Sequence, residues 1–427
     1  MNMTSRRNLV RSAGALGVIG LSKSLFPAWM PRLAFSPSYQ IPSSGQRDTL
    51  VVIFQRGGMD GLNAVVPFGE GANYYDNRPT IAIPEPGVGE NRAIDLDGFF
   101  GLHPALRPLK EIYDSNALTV IHGAGSPDPS RSHFDAMEYM ERGTPGVKTS
   151  PNGWVSRHLE TAAWQNDSPF RAVGMGAILQ SSLRGQVPAL ALQSIVDFHL
   201  QGREEHIATI QRTLANLYSI QAPVDLIGQE ASEVFSTIDL LSQLNASEYL
   251  PANNAQYPDS DFGMGLKQIA QLIKAEVGLE VACVDVGGWD THENQGGVEG
   301  EFAGLLSNFA QGLAAFHADL RDHMQNITVV SMSEFGRRLT ENSSAGTDHG
   351  HGNCMFVMGG GSTGGVYSRW AGLHADALED GDLAVTTDYR DVLTEILTGR
   401  LGNSEVAQIF PNYVATLPGI FSPRTFT

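Results

Sequence analysis

A chain of 427 residues that is 42% hydrophobic and 17% charged, with 47 glycines, has the composition of a packed globular protein and not of a disordered one. Its formal net charge of -18 argues against nucleic acid or an anionic membrane surface as partner, since both call for basic patches. A phosphate or sulfate ester remains admissible wherever metal ions invert the local field.

In chain order the first element is an address. Ser5-Arg6-Arg7-Asn8-Leu9-Val10-Arg11 precedes a small-residue apolar run over residues 12–21, and Ala34-Phe35-Ser36 stands near a plausible cleavage zone. Paired arginines before a mildly hydrophobic run read as a twin-arginine (Tat) export signal over residues 1–35. That predicts recognition by the Tat export machinery and a periplasmic or extracellular location. The run is too short and glycine-rich for a stable membrane span. Residues 36–47 read as a Pro/Ser/Gly-rich linker, and residues 48–427 as a single domain.

The first core strand covers residues 49–54, a continuous apolar run of the kind buried on both faces. It ends in the loop Gly57-Gly58-Met59-Asp60-Gly61. Further strands are expected at 118–122, 279–286, 327–332 and 355–358. Helical spacing marks 105–114, 265–277, 302–324 and 388–401, the last with Asp388 as its cap. Residues 202–245 are helix-rich without core-strand runs, as in an insertion or cap. Alternating strands and helices predict an α/β fold with a mainly parallel central sheet flanked by helices. Cys283 and Cys354 fall in buried strand runs, either as small apolar thiols or, in an oxidising compartment, as a disulfide between neighbouring strands.

In such sheets ligands bind outside the carboxyl ends of the strands, and the chemistry-bearing residues gather in the loops there. Gly288-Trp289-Asp290-Thr291-His292 and Thr347-Asp348-His349-Gly350-His351-Gly352 place two carboxylates and three imidazoles in glycine-flanked stretches. Asp and His suit zinc, manganese or iron. Asp290, His292, Asp348, His349 and His351 are therefore candidate ligands for one or two divalent ions. Asp60 is a ligand or a turn residue; Glu334 is a ligand or a partner of Arg337 or Arg338. Ser132 stands where a helix begins, as a nucleophile helped by the helix N-terminus or as a plain N-cap alongside Ser130. Arg131 is placed to grip an anionic ester bidentately, and His133 to act as ligand or proton donor. His103, His158 and His199 stand alone and read as structural or exposed. No Gly-x-Ser-x-Gly elbow is present, which disfavours an α/β-hydrolase triad.

Arg56-Gly57-Gly58-Met59-Asp60-Gly61-Leu62-Asn63, Gly125-Ser126-Pro127-Asp128, Ser132-His133-Phe134-Asp135, Trp289-Asp290-Thr291-His292, Ser333-Glu334-Phe335-Gly336-Arg337 and the Thr347–Gly352 run occur in a familiar order. The chain resembles the Tat-exported bacterial family known as domain of unknown function 1501, over nearly all of its mature length. That family in turn looks like a distant member of the alkaline phosphatase and sulfatase superfamily. The resemblance implies an alkaline phosphatase-like sandwich, with Asp60, Ser132, Asp290/His292, Asp348/His349 and His351 in the superfamily's order of ligands and nucleophile. The superfamily's Ser-Asp-His-Gly reads here as Ser333-Glu334-Phe335-Gly336, which puts one of two metal sites in question. Pro127 stands where a sulfatase has the residue converted to formylglycine, which argues against that chemistry. The expected function is an exported metal-dependent hydrolase of small-molecule or polymeric phosphate or sulfate esters with a serine nucleophile. The alternative is a secreted, non-catalytic binding or assembly protein on the same scaffold.

Overall fold

The computed structural model describes residues 48–163, 166, 168–195, 249–422 and 424. The export signal, the linker, the helix-rich stretch at 202–245 and His199 lie outside the described residues.

Among the described residues nine strands form one sheet: β1 (Thr49–Gln55), β2 (Leu118–Gly125), β3 (Ala172–Met175), β4 (Leu190–Leu192), β5 (Val281–Val286), β6 (Ile327–Met332), β7 (Asn353–Gly359), β8 (Gly365–Ser368) and β9 (Thr387–Asp388). Their order across the sheet is β8-β2-β7-β6-β1-β5-β3-β4, with β9 beside β2. Every pairing is parallel except the two made by β7, which runs antiparallel to β2 and β6. The expected mixed α/β architecture with a mainly parallel sheet is what the chain adopts.

Successive side chains of a strand point to opposite faces, and β1 shows what each face meets. Val51 and Ile53 join a core with Leu266 and Ile269 of one helix, α3 (Asp261–Lys274), and Phe302, Leu306 and Phe309 of another, α4 (Glu301–Asp319). Leu50, Val52 and Phe54 join the opposite core, with Met140 of α1 (His133–Arg142), Val155 and Leu159 of α2 (Trp154–Thr161), and Val392 and Ile396 of α5 (Tyr389–Gly399). Asp388 caps α5 as expected, its side chain accepting from the Arg390 N–H at 2.9 Å.

The two cysteines are free and buried. They sit on β5 and β7, with β1 and β6 between them. Three strand spacings of about 4.8 Å separate their backbones by twice the reach of a disulfide. The strands are not neighbours, which rules out the pairing.

Candidate metal centre

The carboxyl ends of β1, β2, β5 and β6 and the start of antiparallel β7 lie at one edge of the sheet, and the loops there are packed backbone to backbone. Gly57 adopts φ +123°, and a Cβ on it would lie 2.7 Å from the Asp290 nitrogen, so only glycine lets the β1 and β5 loops approach this closely. Trp289, fully buried, ties the β5 loop to its strand through its indole N–H on the Val286 carbonyl at 2.9 Å. The segment before β7 bonds back onto the loop after β6: Gly350 N–H to Gly336 O at 2.9 Å, and Arg338 N–H to Asp348 O at 3.0 Å. These contacts place side chains from four loops against one another.

Three imidazoles meet there, each held by its Nδ1. His133 Nδ1 lies 2.7 Å from Glu334 Oε1, His292 Nδ1 lies 3.1 Å from Asp348 Oδ1, and His349 Nδ1 lies 2.8 Å from the Arg131 carbonyl. Carboxylates and carbonyls only accept, so each Nδ1 is the protonated nitrogen and each neutral ring presents an Nε2 lone pair. The three Nε2 atoms converge on Asp290 Oδ1, at 3.4, 3.0 and 3.1 Å for His133, His292 and His349. Acceptors facing an acceptor call for a cation between them, either a proton or a metal ion. His133 Nε2 is buried and has no hydrogen-bond partner. His133, Asp290 and His349 offer ligand atoms all within 4.8 Å of one another, the spacing a single ion needs. The residues present therefore fit a metal ion.

Charge around the cluster is set by fixed neighbours. Partial burial pushes the Asp290 carboxyl up, but the hydrogen bond from Arg337 and the Arg337 charge hold it well below the usual carboxylate range. Arg337, which the sequence offered only as a candidate partner of Glu334, turns to Asp290 instead. Its Nη2 donates to Asp290 Oδ1 at 2.7 Å, and the guanidinium also donates to the carbonyls of Gly57, Gly58, Trp289 and Thr347. The hydrogen bond to Glu334 raises His133, whereas burial lowers His349. Asp348 is lowered by hydrogen bonds from Asn342 and His292.

Glu334 is fully buried; it accepts from His133 and from the Gly57 N–H at 2.8 Å, and takes neither Arg337 nor Arg338. Asp60 is engaged by Arg78 at 2.5 Å and by Gln295 at 2.7 Å. His351 is held between Glu379 and the Ser126 carbonyl, at 2.8 and 2.9 Å. Arg131 pairs with buried Asp382 and lines a cavity of about 580 Å³ with Pro129, His351, Glu379 and Asp380. Ser132 is the N-cap residue of α1, exposed, and its side chain makes no capping bond. His103 and His158 are buried structural residues. Arg78, in Asn77-Arg78-Pro79, carries no local sign of its role; Arg337, three residues beyond Glu334 at a strand end, carries a weak one.

Taken together, fold and site define a mixed α/β protein with a histidine–aspartate cluster on the carboxyl edge of its sheet. Within that class the chain belongs to the family described as "Protein of unknown function (DUF1501)", whose model matches residues 117–399. No curated protein matches it in sequence. Among solved structures, it is similar to the C-terminal periplasmic domain of EptC from Escherichia coli in complex with Zn, at 10% identity and TM-score 0.38, covering 92% of this chain and 94% of that one. It is also similar to the PsFucS1 sulfatase from Pseudoalteromonas sp., at 11% identity and TM-score 0.39, covering 90% and 74%. A third is the lipoteichoic acid synthase LtaP from Listeria monocytogenes, at 8% identity and TM-score 0.33, covering 85% and 80%. With TM-scores under 0.5, these likenesses decide nothing about activity.

Proposed function

We propose that this protein is an exported, metal-dependent hydrolase of phosphate or sulfate esters with Ser132 as nucleophile. One observation carries the reading: an exposed, uncapped serine hydroxyl at the N-terminus of a ten-residue helix, directly before a histidine of the cluster. The free N–H groups of α1 favour anionic charge at that end. His133, Asp290 and His349 are the residues that would hold the ion, which supplies Lewis-acid polarisation of the ester and a lowered serine pKa. Ser132 Oγ attacks the phosphorus or sulfur, the alcohol leaves, and water then cleaves the seryl ester. Arg131 stands next in sequence, its guanidinium suited to the ester's anionic oxygens, and the cavity it lines accommodates the alcohol part. Export rests on the arginine pair Arg6-Arg7 and the apolar run behind it; replacing both by lysine is expected to retain the protein in the cytoplasm on fractionation.

The non-catalytic reading keeps one observation in its favour. The Phe335 ring packs 4.9 Å from that of His133 and 4.7 Å from that of His349, closing one flank of the cluster. Turnover decides between the two. The metal-reconstituted mature protein is expected to hydrolyse p-nitrophenyl phosphate, its bis-ester or p-nitrophenyl sulfate, with Ser132→Ala about a thousandfold slower or worse. No hydrolysis of any of the three by the wild type would leave the binding protein as the reading. Full activity in Ser132→Ala would remove the serine from the mechanism.

A further inference from the structure

We infer that this centre takes one divalent ion and not two, because two buried guanidinium groups, Arg337 and Arg78, already pair with Asp290 and Asp60 and cancel the anionic charge that a second dication would need. The inference rests on the cluster named by the hydrolase reading but not on its turnover, so the two fail separately.

Three donors lie close enough together to share an ion, although Asp290 Oδ1 also accepts from Arg337 and His349 Nε2 lies 2.9 Å from His292 Nε2. His133 Nε2 is buried without a partner while Glu334 fixes its ring, and His349 Nε2 is aimed by the Arg131 carbonyl toward the same oxygen of Asp290. Two imidazole nitrogens and a carboxylate form a three-ligand set of the kind that binds zinc with one position left open. Acceptors on the far nitrogen of each ring are what orient such ligands.

Two of the carboxylates, the ligand Asp290 and the neighbouring Asp60, are each paired with a buried guanidinium group. Arg337 is buried, and its donors end on Asp290 and four backbone carbonyls. It cannot turn away without stranding those carbonyls, so a unit positive charge stays fixed on Asp290. Arg78 does the same for Asp60. It is fully buried, with Nη1 on Asp60 Oδ2 at 2.5 Å and on Asn63 Oδ1 at 2.7 Å, Nε on the Leu339 carbonyl and Nη2 on that of Arg338. A dication approaching Asp60 would meet a like charge at hydrogen-bond range in a site closed to water, where repulsion is only weakly screened. Asp60 therefore acts as the counter-ion of Arg78: its Oδ2 is taken by Arg78 and Gln295, and the charge beside its unpartnered Oδ1 opposes a second dication there.

The test is metal content and zinc titration of the full mature chain, made metal-free and then reconstituted. One ion per chain is expected in the wild type, one in Asp60→Asn, and none in His133→Ala or His349→Ala. Two ions in the wild type, none in the wild type, loss of the ion in folded Asp60→Asn, or full retention in His133→Ala would each overturn the inference. Should the histidine variants fail to fold, the cobalt-loaded wild type decides. Intense visible absorption of a low-coordinate nitrogen–oxygen site, saturating at one equivalent, supports it, whereas saturation at two overturns it. A protein that binds one ion yet hydrolyses no ester overturns only the hydrolase reading.

Discussion

Glu334 and Arg78 show how single buried charges shape the site without themselves offering it a free ligand. Glu334 joins three loops, since it follows β6, accepts from Gly57 after β1 and fixes His133 after β2. Removing it in Glu334→Ala frees the His133 ring and leaves the Gly57 N–H unpaired. Zinc affinity should fall about 10- to 100-fold. Glu334→Gln should lose less, since its amide oxygen still accepts; equal losses in a zinc titration would mean that charge, and not ring orientation, matters. Arg78→Met leaves Asp60 as an unpaired buried carboxylate, at an expected cost of about 3–5 kcal/mol in urea unfolding. Adding Asp60→Asn in that background should recover most of the loss, and no recovery would show that Arg78 contributes packing instead. The role of Arg78 was not legible in the sequence. Arg78 meets partners more than 250 residues away, Leu339 and Arg338, and no local pattern encodes a contact across that separation. The types Asp and His near glycines were legible, because loops that gather ligand-type side chains at strand ends need both short polar side chains and tight backbone turns.

At the scale of elements, the segment between β6 and β7 does most to assemble the cluster. Gly336 and Gly350 lie where the loop folds back on itself, and a Cβ on Gly350 would stand 2.3 Å from the Arg337 carbonyl carbon. Gly350→Ala must therefore push the His349 backbone away from Arg337. A loss of about 1–3 kcal/mol is expected, with a fall in zinc affinity that His351→Ala, outside the cluster, does not show. Equal zinc affinity in Gly350→Ala and wild type would mean that the loop relaxes without moving His349. The five long strands were readable as apolar runs, because burial on both faces leaves little room for polar residues. β3, β4, β8 and β9 span four residues or fewer, too short for a periodic signal. The reversed direction of β7 was also missed, since a buried strand reads the same either way. The readable sign was the lack of helical spacing between residues 333 and 352, where a parallel neighbour would need a crossover.

For the whole molecule, the decisive titratable groups are three buried histidines away from the cluster. His103, His122 and His158 each use Nδ1 as an acceptor, from Ala105 N–H, Gly123 N–H and the Asn403 amide at 3.0, 2.9 and 2.9 Å. Protonation there would set donor against donor, and burial lowers them to about 4, about 4 and about 3. A folded-state pKa below the unfolded value of about 6.5 means that the unfolded chain takes up protons first. Their stabilising contribution is complete above about pH 6.5 and is lost as pH falls, at a slope approaching about 4 kcal/mol per pH unit for three protons. Approach to the sequence pI of about 5.0 works the other way, by relieving the repulsion of a net charge of -18. Surface repulsion acts over distances that physiological salt screens beyond about 8 Å, whereas the buried rings are not screened, so the histidines should dominate. Unfolding free energies of the metal-free protein in 0.15 M salt are therefore expected to fall steeply from pH 6 to pH 4.5, most of the fall preceding the midpoint of ordinary carboxylates at about 4. The slope should drop by a third in His158→Gln, whose amide oxygen can still accept from Asn403. A flat profile down to pH 4.5 would show that charge relief outweighs the buried imidazoles. Acid sensitivity confined below pH 4 would assign it instead to carboxylates such as Asp319, which burial raises but Lys274 and two tyrosine hydroxyls bring below the usual range.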